Sequence, residues 1–156
     1  MRKFLGFIIA VLALVGCSTL DCPLNNSVYT YYKVMGDSTV DTLSVISFRH
    51  TDNEGMLLNK LAAPDSLQLP ISYTGDKDIL YFVSKIKSGT EMIDTVVITK
   101  SNFDHFESVD CSPSVFHKLI DVTTTHHAID SIVINHRDVD YDYSKKHFSI
   151  YFRHLH

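Results

Sequence analysis

The sequence predicts an all-β protein: an antiparallel β-sandwich, immunoglobulin-like or similar, behind an N-terminal signal segment. Three observations predict it. Short runs of β-branched and aromatic residues recur at roughly 8–12-residue spacing. Turn residues separate them, at Gly36-Asp37, Asp52-Asn53-Glu54-Gly55, Gly75-Asp76, Ser88-Gly89 and Ser112-Pro113. After Cys22 there is no helical stripe of useful length and no internal repeat.

The elements follow in order. "SVYTYYKV" (27–34) is rich in aromatic and β-branched residues, and "DTLSVISF" (41–48) reads as a central strand, apolar on both faces. "MLLNKLAAPDS" (56–66) is ambiguous, a crossover loop or a short helix. "SLQLPISY" (66–73) alternates, with Leu67, Leu69, Ile71 and Tyr73 on one face; Pro70 cannot donate to a ladder, which places this strand at an edge. "ILYFVSKI" (79–86) and "DTVVITK" (94–100) read as buried on both faces. "HFESVDC" (105–111), "VFHKLIDV" (115–122) and "AIDSIVIN" (128–135) come next. "KHFSIYFR" (146–153) alternates best, Phe148, Ile150 and Phe152 pointing one way and Ser149, Tyr151 and Arg153 the other. Deleting this last strand is expected to expose its partner's core face and abolish folding.

The N-terminus reads as a targeting segment. Arg2 and Lys3 precede an unbroken apolar run from Phe4 to Gly16. That run is too short to span a membrane, which takes about 20 apolar residues. Leu14-Val15-Gly16-Cys17 resembles the lipobox of bacterial lipoproteins, with Gly16 as the small residue before the cut. On that resemblance residues 1–16 are a lipoprotein signal peptide and Cys17 is the lipidation site, carrying diacylglycerol on its thiol and an acyl chain such as palmitate on its amine. Several chains, at about 0.8 kcal/mol per buried methylene, anchor stably. An ordinary secretory signal with a chance cysteine is the alternative. Ser18 rather than Asp after the cysteine favours, by resemblance to proteobacterial sorting, the outer membrane, with the chain facing the periplasm or the cell surface.

Removing 16 of 156 residues leaves 140, one ordinary domain. Residues 17–26 form a lipidated N-terminus and short tether, and 27–156 a single sandwich domain. Arg2 and Lys3 leave with the signal, so 12 basic side chains face 18 acidic ones, a net charge of −6 with His neutral. That is no electrostatic footprint for nucleic acid and no polybasic patch for an anionic membrane. Cys22 and Cys111 remain as an even pair in an oxidising compartment, and one disulfide is the simplest expectation. Two free thiols, or pairing with another protein, are the alternatives. Cys22 lies five residues from Cys17, and five extended residues span at most about 17 Å, so a bridged domain would sit almost on the bilayer.

Chemistry-bearing residues are few in kind. Eight of nine histidines fall within 105–156. His154 and His156 would share a strand face, and His126 and His127 would converge only in a loop; none has the flanking Cys or Glu of a zinc signature. Asp138, Asp140 and Asp142 match the first three ligand positions of a calcium loop, but Tyr143 stands where the turn needs Gly and Ser149 where a bidentate Glu belongs. These seven residues are the candidate metal ligands; solvated loops and surface histidines are the plainer reading. Tyr29 with Tyr31, and Tyr141 with Tyr143, are candidate sugar platforms in a chain without Trp. There is no Gly-x-Ser-x-Gly elbow, phosphate loop or His-Glu-x-x-His motif. Cys111 with His105 or His117 can be drawn as a thiol–imidazole pair.

"LDCPLNNSVYTYY", "HFESVDCSPSVFH" and "THHAIDSIVIN" followed by "VDYDYSKKHFSIYF" resemble a family of Bacteroidetes-type outer-membrane lipoproteins classed as a domain of unknown function. The likeness runs from Cys22 to about Phe152. It implies a membrane-bound, all-β, extracytoplasmic domain, and no catalytic residues. Cys22 and Cys111 both lie inside its motifs, which fits their pairing.

The expectation is therefore a membrane-anchored lipoprotein, not an enzyme and without a cofactor, serving as a binding or accessory module. The membrane, through its anchor, and an outer-membrane protein are the expected partners. The alternative is a small-ligand or metal-binding protein using the C-terminal His/Asp cluster.

Overall fold

The computed structural model describes residues 22, 27–36, 39–48 and 54–154. The signal segment 1–16, Cys17, most of the tether and His156 lie outside the described residues. Ten strands are formed: β1 (Tyr29–Met35), β2 (Val40–Phe48), β3 (Glu54–Ala62), β4 (Ser66–Pro70), β5 (Lys77–Ile86), β6 (Glu91–His105), β7 (Ser114–Thr124), β8 (Ile129–Ile134), β9 (Asp138–Val139) and β10 (Phe148–Phe152). Among the described residues there is no helix. A four-stranded sheet, ordered β4-β1-β10-β8, packs on a six-stranded sheet, ordered β3-β2-β5-β6-β7-β9. The expected two-sheet sandwich is therefore what the chain builds, with every described strand pair antiparallel except β1–β10, which is parallel.

Alternation builds the core. Tyr32 and Val34 of β1, Leu43 and Val45 of β2, Leu67 and Leu69 of β4, Phe82 of β5, Val96 and Ile98 of β6, and Phe148 and Ile150 of β10 are all buried between the sheets. Each such side chain contributes about 1.5–3 kcal/mol by leaving water. Tyr32 stacks on Phe148 with ring centroids 4.7 Å apart, which locks the parallel β1–β10 pair against Phe82 of the other sheet. β10 sits between β1 and β8, so its Phe148, Ile150 and Phe152 face the core as their spacing requires. β4 is an edge strand, as Pro70 demands.

Three expectations need correction. Residues 105–111 are not a strand: β6 runs on through His105 and the chain then loops until Ser114. β6 is fifteen residues long because, beyond its start, residues 96–105 pair with the whole of β7. The stretch 56–66 is neither crossover nor helix, since β3 occupies it to Ala62 and pairs with β2. Its irregular look reflects register shifts at Val45 and positive φ at Lys60 and Ala63. Finally, β2, β5 and β6 bury one face, not two. Ile46, Ile79, Tyr81, Val83 and Val97 lie on the outer face of the six-stranded sheet, half-buried by their cross-strand neighbours.

The strands run back and forth between two ends. The turns β1–β2, β3–β4, β5–β6 and β7–β8 share one end with the close of β10. The β5–β6 turn closes on Gly89, whose φ of 92° suits glycine and whose N–H donates to the Ile86 carbonyl. The start of β1, the β4–β5 connection, the β6–β7 loop and the segment before β10 share the other end.

Candidate functional site

Cys22 and Cys111 are joined by a disulfide across 89 residues of sequence, with Cα atoms 5.5 Å apart. Cys111 therefore has no thiol to pair with an imidazole, and the Cys111–His105 and Cys111–His117 readings fall away. The bridge ties the start of the domain to the loop of the β6–β7 hairpin. That hairpin projects: its Lys100–His105 and Ser114–Leu119 arms pair with one another past Thr99, the last β6 partner of β5. An aromatic cluster stiffens the projection. Phe116 stacks on His105 at 4.2 Å and meets Tyr141 edge-on at 5.0 Å, while the Tyr141 hydroxyl bonds to Ser114.

The base of the arm holds a buried cation. Lys100 is almost fully buried on β6, at the inward phase set by Asp94, Val96 and Ile98. Its ammonium donates to the carbonyls of Ser72 (2.8 Å) and Gly75 (3.0 Å) and to Asn102 Oδ1 (2.8 Å). Three acceptors satisfy three donors, so the charge pins the β4–β5 loop against β6. Burial pulls the Lys100 pKa down, with Asp78 and Asp76 opposing. Because Asn102 Oδ1 accepts from Lys100, His117 donates its Nδ1–H to the same oxygen at 2.7 Å. Its Nε2 is then a buried acceptor with no partner among the described residues. Burial, and secondarily the Lys100 charge, pushes the His117 pKa down to about 4, and the ring is neutral at physiological pH.

The opposite end carries a second buried charge and an open cleft. Asp94 is fully buried. Its carboxylate accepts from the backbone N–H of His127 (2.6 Å), Ala128 (2.8 Å) and Ile129 (2.8 Å) and from the Thr125 hydroxyl (3.0 Å). A β6 side chain of one sheet thus holds the turn that feeds β8 of the other. Burial raises its pKa, but the donors at His127, Ile129, Ala128 and Thr125 outweigh burial and hold it below the usual carboxylate range. Nearby, a cleft of about 430 Å³ is lined by residues that close β1 and open β2 (Val34, Gly36, Val40, Asp41), by the β3–β4 turn (Ala63, Pro64, Asp65) and by Lys87 after β5. Its walls are cross-tied: Ala63 N–H donates to Asp41 O at 2.8 Å and Val34 N–H to Asp65 O at 2.8 Å. Ala63 adopts φ 40°, a left-handed conformation costly for a residue with a Cβ. The volume lies within the range of small-ligand sites.

The predicted metal residues do not form one cluster. His126 and His127 lie in the β7–β8 turn and His154 follows β10, all at the cleft end. Asp138, Asp140 and Asp142 lie beyond β8, at the other end. β8 itself separates the two sets, which nearness in sequence concealed. His126 Nδ1 bonds the Asp130 carbonyl (2.7 Å), and His127 Nδ1 bonds Thr125. Asp138 is in a strand, paired with Lys118. Asp140 and Asp142 bond the backbone N–H groups of Asp142 and Ser144, and Lys145 reaches Asp140 at 2.6 Å. The cation that relieves their repulsion is thus supplied by the chain. Among the described residues no three His, Cys, Asp or Glu side chains are grouped to hold a metal. Of the candidate sugar platforms, Tyr31 is engaged within the chain while Tyr143 stays exposed. Tyr31 stacks on buried His147, meets Tyr143 edge-on and lies under the Lys146 ammonium.

Asp94, Lys100 and Asn102 are not singled out by the sequence, and His117 is named there only as an imidazole for Cys111. A signal existed: Asp94 and Lys100 share the inward phase of Val96 and Ile98, where a polar residue requires partners. No curated protein and no solved structure matches the chain. A family model does, over residues 25–152, and the chain belongs to that family, described as a family of unknown function (DUF6452).

Proposed function

We propose that this protein is an outer-membrane lipoprotein, anchored through Cys17, whose sandwich is a non-catalytic binding or accessory module presenting its cleft end to a partner. One observation carries the reading: the Cys22–Cys111 disulfide fastens the end of the domain that carries the β6–β7 loop within five residues of the lipobox cysteine. The cleft lies at the other end of β6, about 45 Å away along a strand of this length. An anchor at one end turns the opposite end outward, and the loops there are the natural recognition surface. Asp41, Asp65 and Lys87 give the cleft charges of both signs for a polar contact at its rim.

Crosslinking and recovery of the lipidated protein from its own membranes tests this. Expected is one dominant membrane protein in near-equal amount, lost with Cys17→Ser and weakened by Lys87→Glu. Recovery unchanged by Lys87→Glu removes the cleft from the reading. Turnover of a substrate panel by the purified domain overturns the non-catalytic role.

A further inference from the structure

The projecting β6–β7 arm ends in apolar side chains that no fold requires to be there. Val109 is 97% exposed, Phe106 62% and Phe103 47%. Phe106 and Val109 belong to the loop that ends the arm, and Val109 sits within the turn closed by the Cys111 N–H on the Ser108 carbonyl, two residues from the disulfide. A lone exposed valine is ordinary, but Phe106 and Val109 exposed on one loop, with Phe103 exposed on the strand that leads into it, are not. The arm extends six residues beyond β5, about 20 Å of paired strand, flanked on its β7 side by β9 and Tyr141, and the loop from Phe106 to Asp110 lies at its far end. It is also stiff, braced by Phe116, His105 and Tyr141.

We propose that this tip is a second membrane contact: Phe106 and Val109, backed by Phe103, enter the interfacial layer of the lipid bilayer beside the acyl anchor. The inference rests on the lipid anchor at Cys17 proposed above. Its occupant follows from the tether. The disulfide holds Cys22 at the tip, and five residues reach at most about 17 Å, so a lipidated Cys17 keeps the tip within reach of the interface. Aromatic and aliphatic side chains gain by burial at that depth. The charges set the lipid preference. Asp104, Glu107 and Asp110 are exposed around the apolar residues, Glu107 bonding His105 at 3.1 Å. An acidic collar makes this an apolar contact with neutral lipid, weakened by anionic headgroups.

The chain has no Trp, so one introduced Trp reports alone. The experiment uses the full lipidated protein on phosphatidylcholine vesicles carrying brominated acyl chains, with Val109→Trp at the tip and Lys87→Trp at the cleft. Val109 is nearly fully exposed, so its replacement disturbs no packing. Expected is a blue-shifted Val109→Trp emission quenched by at least about half, as for an interfacial Trp, with Lys87→Trp unquenched. Adding Phe106→Ser to Val109→Trp lowers the quenching, and so does replacing half the lipid with phosphatidylglycerol. Protein that floats with the vesicles while Val109→Trp stays unquenched overturns the tip contact and leaves the anchor standing. Protein that does not float overturns the anchor, and the tip contact with it.

Discussion

Asp94→Asn attacks the joint between the two sheets with the smallest change of shape. The carboxylate takes four hydrogen bonds, two on each oxygen: His127 N–H and the Thr125 hydroxyl on Oδ1, Ala128 and Ile129 N–H on Oδ2. An amide keeps one acceptor oxygen and turns an NH₂ group toward donors. Two bonds to a buried charge are lost: with the amide oxygen kept on Ala128 and Ile129, the NH₂ faces the Thr125 hydroxyl, which can turn to accept, and the His127 N–H, which cannot. At about 1.5–3 kcal/mol per charged bond, the expected loss is about 3–5 kcal/mol. For a domain of this size that lowers Tm by about 10–20 °C. The assay is thermal and urea unfolding of the oxidised mature domain at pH 7. Burial pushes the Asp94 pKa up, but the four donors hold it below its unfolded value near 3.9. Its contribution is therefore complete above about pH 5 and fades as pH falls through the folded pKa. The gap between wild type and Asp94→Asn narrows on acidification. Loss of folding altogether falls on the predicted side. A variant within about 1 kcal/mol of wild type at pH 7 would refute the reasoning, because losing two bonds to a buried charge costs more than that.

Other perturbations have equally definite outcomes. Reducing the disulfide, or Cys111→Ser, costs about 4–5 kcal/mol on loop-closure grounds for a separation of 89 residues; equal urea midpoints with and without reductant contradict this. The His117 ring titrates near pH 4 by NMR, and because its folded pKa lies below the unfolded value, stability falls from about pH 6.5 down to about 4; a midpoint near 6.5 refutes its burial as a neutral group. Phe148→Ala removes the ring stacked on Tyr32 in a fully buried site and costs about 3–5 kcal/mol; a loss under about 1 kcal/mol refutes the packing. Tm is the same in EDTA, zinc and calcium, since a ligand that prefers the native state must raise it, and a rise of several degrees with either metal contradicts the division of His and Asp between the two ends.

What was legible in the sequence is what local physics dictates. Alternation placed Phe148, Ile150 and Phe152 inward, and Pro70 placed β4 at an edge. What was not legible depends on distant partners. Nothing local distinguishes 105–111 from a strand; the chain leaves β6 there because Cys111 must meet Cys22. The parallel pairing of β1 with β10 joins segments more than 100 residues apart and rests on Tyr32 meeting Phe148. Histidine and aspartate positions misled for the same reason. His126 and Asp138 are close in sequence, yet β8 carries the chain from one end of the sandwich to the other between them. The buried Asp94 and Lys100 broke the rule that polar residues face out, and each did so where it holds a loop of another strand.

The proposed anchor lies at the end the disulfide marks. Intact and peptide mass spectrometry of the protein from its own membranes, before and after reduction, tests that most directly. Predicted is a mature chain beginning at Cys17 with acyl modification, its first peptide linked to the Cys111 peptide until reductant is added. A chain cut elsewhere, an unmodified Cys17, or a Cys111 thiol that accepts label without reduction would contradict it.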